Sequence, residues 1–164
     1  MTTFDPAAFP PVPHGHQYED FEIGQVFEHH WGRTFSESDN SFFTTATLAF
    51  NPRYTNAELA RSEGHPRELV NPMLLLCTVV GLSVEDLSEG GGPFLGVNEC
   101  AFPTPVYPGD TVTARSTVLD KRESSSRPRE GIVTWRTEAH NQRGELVLSY
   151  TRTNLSAKRE VPPG

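Results

Sequence analysis

Apolar residues crowd most densely between Asn71 and Leu87, NPMLLLCTVVGLSVEDL. From Met73 to Leu82 only Thr78 and Gly81 interrupt a run of Met, Leu, Cys and Val. A surface helix shows one apolar stripe, whereas a helix that is apolar all round has to be buried on most sides. The run is too short, and too soon charged at Glu85 and Asp86, to span a bilayer. Asn71 suits an N-cap and Pro72 the first helical position. The pattern predicts a central helix gripped by a curved sheet, with a deeply buried strand as the alternative.

The other elements follow in order. Tyr18 to Gly24 reads as a turn leading into a first strand, Gln25 to Phe35, rich in β-branched and aromatic residues. Ser36 opens SESD, a Ser followed three residues later by an acid, which is the capping-box spacing. The helix it starts runs through Phe42 and Phe43 towards Leu48. Asn51-Pro52 breaks it, a short helix follows from about Asn56 to Ser62, and Glu63 to Glu68 is a loop.

After GGGP at 90–93 the pattern turns to strands: Pro93 to Phe102, Asp110 to Arg122, Gly131 to His140 and Leu146 to Ala157. In the second of these, Val112, Ala114 and Val118 share one side and Thr111, Thr113 and Arg115 the other. Asn141 to Gly144 is a turn with Gly where positive φ is wanted. Residues 1–17, proline-rich and without periodicity, read as an extended or poorly ordered arm, leaving 18–164 as the domain. The sum is a single α+β domain, an antiparallel curved sheet wrapped around a central buried helix. That is the hot-dog arrangement.

Composition narrows the partners. At 164 residues the chain fits one domain with a real core. A net charge of −7 argues against nucleic acid and against an anionic membrane surface. Cys77 and Cys100 read as buried thiols, not a disulfide framework. No basic segment followed by an apolar run opens the chain, so no signal peptide is expected and a cytoplasmic location is. The histidines show no metal-ligand spacing: His29 and His30 point to opposite sides of a strand, and His14, His16, His65 and His140 share none.

GRTFSESDNSFFT (32–44), ELVNPMLLL (68–76), VYPGDTV (106–112) and KRESSSRPREGIVTWRTEAHNQRGELV (121–147) resemble the MaoC-like hydratases and dehydratases. Within them the chain is most similar to the branch that hydrates mesaconyl-CoA and related branched thioesters, over roughly 18–158. The resemblance implies a hot-dog fold and a dimer, with itself or with a sister hot-dog chain, whose sites lie at the subunit interface. The implied ligand is a CoA or carrier-protein thioester, and no cofactor is called for.

Reversible hydration of a 2-enoyl thioester needs a base to activate water, an acid to protonate the α-carbon, and donors for the charge on the thioester oxygen. The resemblance assigns the first two to an Asp and a His in D-x-N-P-x-H, and a donor to the backbone N–H of a small residue opening the central helix. Here Asn51 and Pro52 match, but Ala49 stands at the Asp position and Tyr54 at the His position. Pro72, which has no N–H, stands at the helix start. Tyrosine ordinarily ionises near pH 10 and histidine near about 6.5, so tyrosine is a poor base at neutral pH.

Tyr54 is therefore a candidate acid or carbonyl-binding group, with a buried core residue as the bland alternative. Asn51 either positions a substrate carbonyl or makes the turn before Pro52. His65, in the loop before the helix, is a substitute base or a solvent-exposed residue. Asp39 and Glu37 read as a capping acid and a solvated charge. Asn71 and Met73, at the helix start, are candidate substrate-binding residues. So are Arg122 and Arg127, since guanidinium forks in the cluster with Lys121 and Arg129 suit CoA phosphates, against a solvated hairpin loop. Three functions fit: a hydratase or dehydratase of diverged mechanism, a non-catalytic hot-dog subunit pairing with an active sister, and a thioesterase or tailoring enzyme. Fold alone does not choose among them.

Overall fold

The alternation in the last third of the chain produces three long strands at the middle of one sheet. In the computed structural model, which describes residues 15–159, strands β1 (Val26–Thr34), β2 (Phe94–Ala101), β3 (Thr111–Glu123), β4 (Glu130–Asn141) and β5 (Leu146–Ala157) are ordered β1-β3-β4-β5-β2. All neighbours are antiparallel. Each strand lies within a residue of its expected bounds. The inward side of β3 carries Val112, Ala114 and Val118, all buried, as the alternation requires.

Among the described residues four α-helices accompany the sheet, α1 (Glu37–Ala46), α2 (Ala57–Ser62), α3 (Pro72–Leu82) and α4 (Val84–Leu87), with 3-10 turns at Tyr18–Asp20 and Pro52–Tyr54. The caps are those the sequence signals. Ser36 Oγ accepts from the Asp39 N–H at 3.1 Å while Asp39 Oδ2 accepts from the Ser36 N–H at 3.0 Å. Asn71 caps α3, with Pro72 at its first position. Asn56 caps α2, its Oδ1 accepting from the Glu58 and Leu59 N–H groups.

The central helix departs from expectation in one respect. Its predicted burial on most sides is not met within a single chain: only Leu75 and Val79 are fully buried, while Met73, Cys77 and Gly81 face outward. One sheet can cover one side of a helix, and among the described residues no element lies over the other. Leu75 and Val79 enter a core with Phe35, Val70, Val106, Val112 and Tyr150. A second cluster, around Phe21, Leu87, Val118, Val133 and Trp135, closes the far end. The cysteines also depart from expectation. Cys77 and Cys100 are free but exposed, Cys77 because it sits on the uncovered side of α3 and Cys100 because it lies on the edge strand β2.

Two buried polar chains fix α3 and α4 to the sheet. His29 Nδ1 lies 2.6 Å from Asp86 Oδ2, His29 Nε2 lies 2.8 Å from Ser116 Oγ, and Ser116 Oγ lies 2.7 Å from Thr137 Oγ1. Arg152 on β5 donates to Asn154 Oδ1, Ser83 Oγ and Ser88 Oγ at 2.7–2.9 Å. Burial pushes the Arg152 guanidinium pKa below its usual range. The arm expected over 1–17 lies mostly outside the described residues. Where description begins, His16 Nδ1 meets the Asp86 carbonyl at 2.8 Å. Among the described residues no helix is long and apolar enough to cross a membrane.

The turn before β3 generates a prediction. Gly109 takes φ +99°, and Asp110 folds back to accept from the Tyr107 N–H (2.9 Å), Gln142 Nε2 (2.6 Å) and Arg143 Nη1 (3.0 Å). Burial alone would raise the Asp110 pKa, but these donors outweigh it and hold the carboxyl below its usual range. A carboxylate depressed in the folded state adds stability above its unfolded pKa of about 3.9 and loses it as pH falls through the folded value. Urea unfolding across pH 2 to 6 should therefore show a loss of stability below about pH 4. Asp110→Asn should be less stable at pH 6 and should flatten that slope.

Candidate functional site

The D-x-N-P-x-H-like segment and the start of α3 meet at a cleft of about 170 Å³. Its walls are Leu69, Val70, Pro72, Leu75, Phe102 and Val106, and among the described residues its polar lining is Tyr54 and Thr104. Tyr54 arrives there because Asn51 caps the 3-10 turn, accepting from the Arg53 N–H at 3.0 Å, and the turn rotates the tyrosine inward. Val70 is bound at the back of the cleft by its N–H to the Val106 carbonyl at 2.8 Å.

Asn40, buried on α1, joins these walls. Its Nδ2 donates to the Tyr54 carbonyl (3.0 Å) and to the Leu69 carbonyl (2.9 Å), and its Oδ1 accepts from the Asn71 N–H (2.8 Å). No residue singled out from the sequence has this reach. A signal was present, since asparagine is a poor helix former and a buried one inside α1 implies side-chain bonds elsewhere.

The helix end that faces the cleft carries no spare donor at its first two positions. Pro72 has no N–H, and the Met73 N–H is donated to Asn71 Oδ1 at 2.9 Å. Helix N-termini normally attract anions through free N–H groups, and here the first two positions offer none.

The candidate residues are scattered. Tyr54 lines the cleft; Ala49, in the place of a carboxylate, precedes it in the same loop. Asn51 is exposed and its side chain makes the turn. His65 is outside the cleft lining, its Nδ1 2.9 Å from the Tyr107 hydroxyl, and burial raises the Tyr107 pKa. Asn71 is buried as the cap, and Met73 points outward, 46% exposed.

Arg122 and Arg127 lie towards the β3–β4 hairpin, and Arg127 pairs with Glu130. From Val112, in the core beside Val70 and Val106, to Arg122 is about 30 Å of strand at roughly 3.3 Å per residue. One chain therefore does not bring these arginines beside Tyr54. Lys121 of the same cluster is spent on the Phe21 carbonyl at 2.8 Å. Asp39 caps α1 and pairs with Arg33, and Glu37 pairs with Arg67.

The chain Asp86–His29–Ser116 has the order of a nucleophilic triad. Ser116, however, is fully buried, so no substrate reaches it, and the chain serves to tie α4 to β1 and β3.

The Asn40 geometry sets a stability test. Asn40→Ala would free two part-buried carbonyls, which water can reach in part, and leave the buried Asn71 N–H without a partner, at about 1 to 3 kcal/mol for a group left fully unsatisfied. Urea unfolding should show a loss of about 2 to 4 kcal/mol, larger than for alanine at exposed Asn51.

A sequence profile of the mesaconyl-CoA hydratase family matches residues 11–162. A mesaconyl-CoA hydratase of Haloarcula hispanica is 42% identical over 147 residues, covering 89% of this chain and 41% of its own. The structure of a MaoC-like dehydratase from Rhodospirillum rubrum aligns at TM-score 0.80 and 26% identity, covering 90% of this chain and all of that one. A Mycobacterium tuberculosis protein with a double hot-dog fold aligns at TM-score 0.76 and 23% identity, over 92% of this chain and 47% of its own. The chain thus spans about two fifths of the length of the mesaconyl-CoA hydratase it matches. The fold is a hot-dog fold, and with nearly its whole length matched by the profile, the chain belongs to the mesaconyl-CoA hydratase family of MaoC-like proteins.

Proposed function

We propose that this chain is an acyl-CoA hydratase/dehydratase-type hot-dog unit. Its Tyr54 cleft receives the acyl end of a thioester, while the standard acid–base pair comes from a second hot-dog unit docked on α3. The observation that carries this reading is the state of the cleft's helix end, where Pro72 has no N–H and Met73 donates its own to Asn71. Ala49 adds the loss of a carboxylate. With no carboxylate base at position 49 and no free N–H at the first two helix positions, the cleft binds better than it reacts.

Pairing is supported by α3 itself. Met73, Cys77 and Gly81 form an outward apolar row on a helix whose opposite side is buried, as an interface core would be. The Haloarcula mesaconyl-CoA hydratase and the Mycobacterium double hot-dog protein carry about twice the length of this chain, which supports a second unit, while the Rhodospirillum dehydratase is matched over its whole length by this chain alone. Mixed with a hot-dog chain that carries an intact D-x-N-P-x-H pair, this chain should run at no less than twice its own mass by light scattering at micromolar concentration, and Met73→Glu with Cys77→Glu should return it towards monomer. A wild-type protein that is monomeric, with no hot-dog chain recovered alongside it, would sink the pairing.

A second reading follows from the phenol in the cleft wall: Tyr54 works as the acid of a rebuilt site. Kinetics separate the two. Wild type should hydrate crotonyl-CoA barely above background. Ala49→Asp with Tyr54→His should raise the rate in part, and adding Pro72→Gly should raise it roughly 100- to 1,000-fold more, the usual worth of one oxyanion donor. Wild-type turnover at ordinary rates of about 1 to 1,000 per second would show that the chain carries its own working site. If turnover is slow and Tyr54→Phe abolishes it, the rebuilt site is correct; if Tyr54→Phe leaves it unchanged, the binding-unit reading stands.

A further inference from the structure

The cleft's chemistry specifies more than a thioester. Its walls are hydrocarbon apart from two neutral hydroxyl-bearing side chains, Tyr54 and Thr104, and no cationic residue lines it among the described residues. The cations nearest in sequence are already committed. Arg53 holds Glu63 through two bonds, Nε to Oε2 at 2.6 Å and Nη2 to Oε1 at 3.1 Å. Arg67 pairs with Glu37 and donates to the Pro108 carbonyl at 3.1 Å. His65 is engaged with the Tyr107 hydroxyl.

Volume sets a second limit. A closed cavity of about 150 Å³ with apolar walls holds six carbon atoms as benzene, so the half-open cleft of about 170 Å³ takes roughly six heavy atoms against this chain's wall.

We infer that the cleft selects a short, branched, uncharged 2-enoyl group, and rejects the dicarboxylic acyl group named in the chain's relatives. The inference rests on the proposal that this cleft receives the acyl end of the thioester. A mesaconyl thioester keeps one free carboxylate at the far end of its acyl chain. Burying that carboxylate here would strip its water, and this chain's wall would return at most two neutral donors, where a buried anion needs a cation or several hydrogen bonds. The tiglyl group has the same branched skeleton with a methyl in place of that carboxylate. Its thioester carbonyl, double bond and two methyls make six heavy atoms, which matches the space. A straight eight-carbon enoyl chain exceeds it.

Titration calorimetry on the whole chain with free CoA, tiglyl-CoA, mesaconyl-CoA and trans-2-octenoyl-CoA tests this. Tiglyl-CoA should bind more tightly than CoA, mesaconyl-CoA roughly 100-fold more weakly than tiglyl-CoA, and octenoyl-CoA no more tightly than tiglyl-CoA. Phe102→Arg, which places a cation on a half-buried wall, should shift the preference towards mesaconyl-CoA. If tiglyl-CoA and mesaconyl-CoA bind no better than CoA, the cleft is not the acyl site and the underlying proposal fails. If both bind better than CoA and mesaconyl-CoA equals or exceeds tiglyl-CoA, the acyl site stands and the selectivity is wrong. A tiglyl-to-mesaconyl ratio that Phe102→Arg leaves unchanged in a folded protein would equally overturn it, since the charged end would then lie elsewhere.

Discussion

The Asn40 side chain is in contact with three segments that fold separately: the 3-10 turn carrying Tyr54, the loop ending at Leu69, and the start of α3. Each of those segments has a good local reason for its shape. Asn51 caps the turn and Asn71 caps the helix. Neither cap sets where one lies relative to the other. The amide does, because a buried donor or acceptor left without a partner costs as much as the bond is worth or more. The three bonds tie together segments that wall the cleft, so the site and the stability of this end of the molecule are linked.

The sheet and α3 divide the remaining work. A sheet has one concave face and can dry one side of a helix. Leu75 and Val79 occupy that side, and the outward side keeps Met73, Cys77 and Gly81. An apolar surface on the outward side is the kind that a second body would cover. The polar chains through His29 and Arg152 act in the other direction: they fix the α3–α4 junction to the sheet by directional bonds, so that the helix does not rotate its apolar sides freely. A helix held at that angle presents a constant surface outward and a constant wall to the cleft.

The chemistry of the cleft follows from what its helix start has given up. A helix N-terminus with free N–H groups is a site for developing negative charge. Proline at the first position and an internal cap at the second make a well-formed helix start with no free N–H at those two positions. Beside it lies a largely hydrocarbon-lined space. Binding and catalysis are thereby separable in this fold, since shape comes from side-chain packing and rate from a few oriented donors and bases.

Much of this architecture was legible in the sequence because it is set by local rules. Strand alternation in 111–157 needs only a two-residue period, the capping box at Ser36 only neighbouring residues, and the α3 start only Asn71-Pro72. The departures Ala49, Tyr54 and Pro72 were visible for the same reason, as single positions in a short motif. What the sequence could not determine is what depends on distance. Arg122 and Arg127 look like neighbours of a site in a motif and lie a strand's length away from it. His29, one of a pair of adjacent histidines, becomes a buried link between Asp86 and Ser116 only when α4 packs on β1. Asn40 bonds residues 14, 29 and 31 positions away. Local propensity determines each element, but only tertiary packing decides which polar atoms are removed from water together, and so which of them must bond.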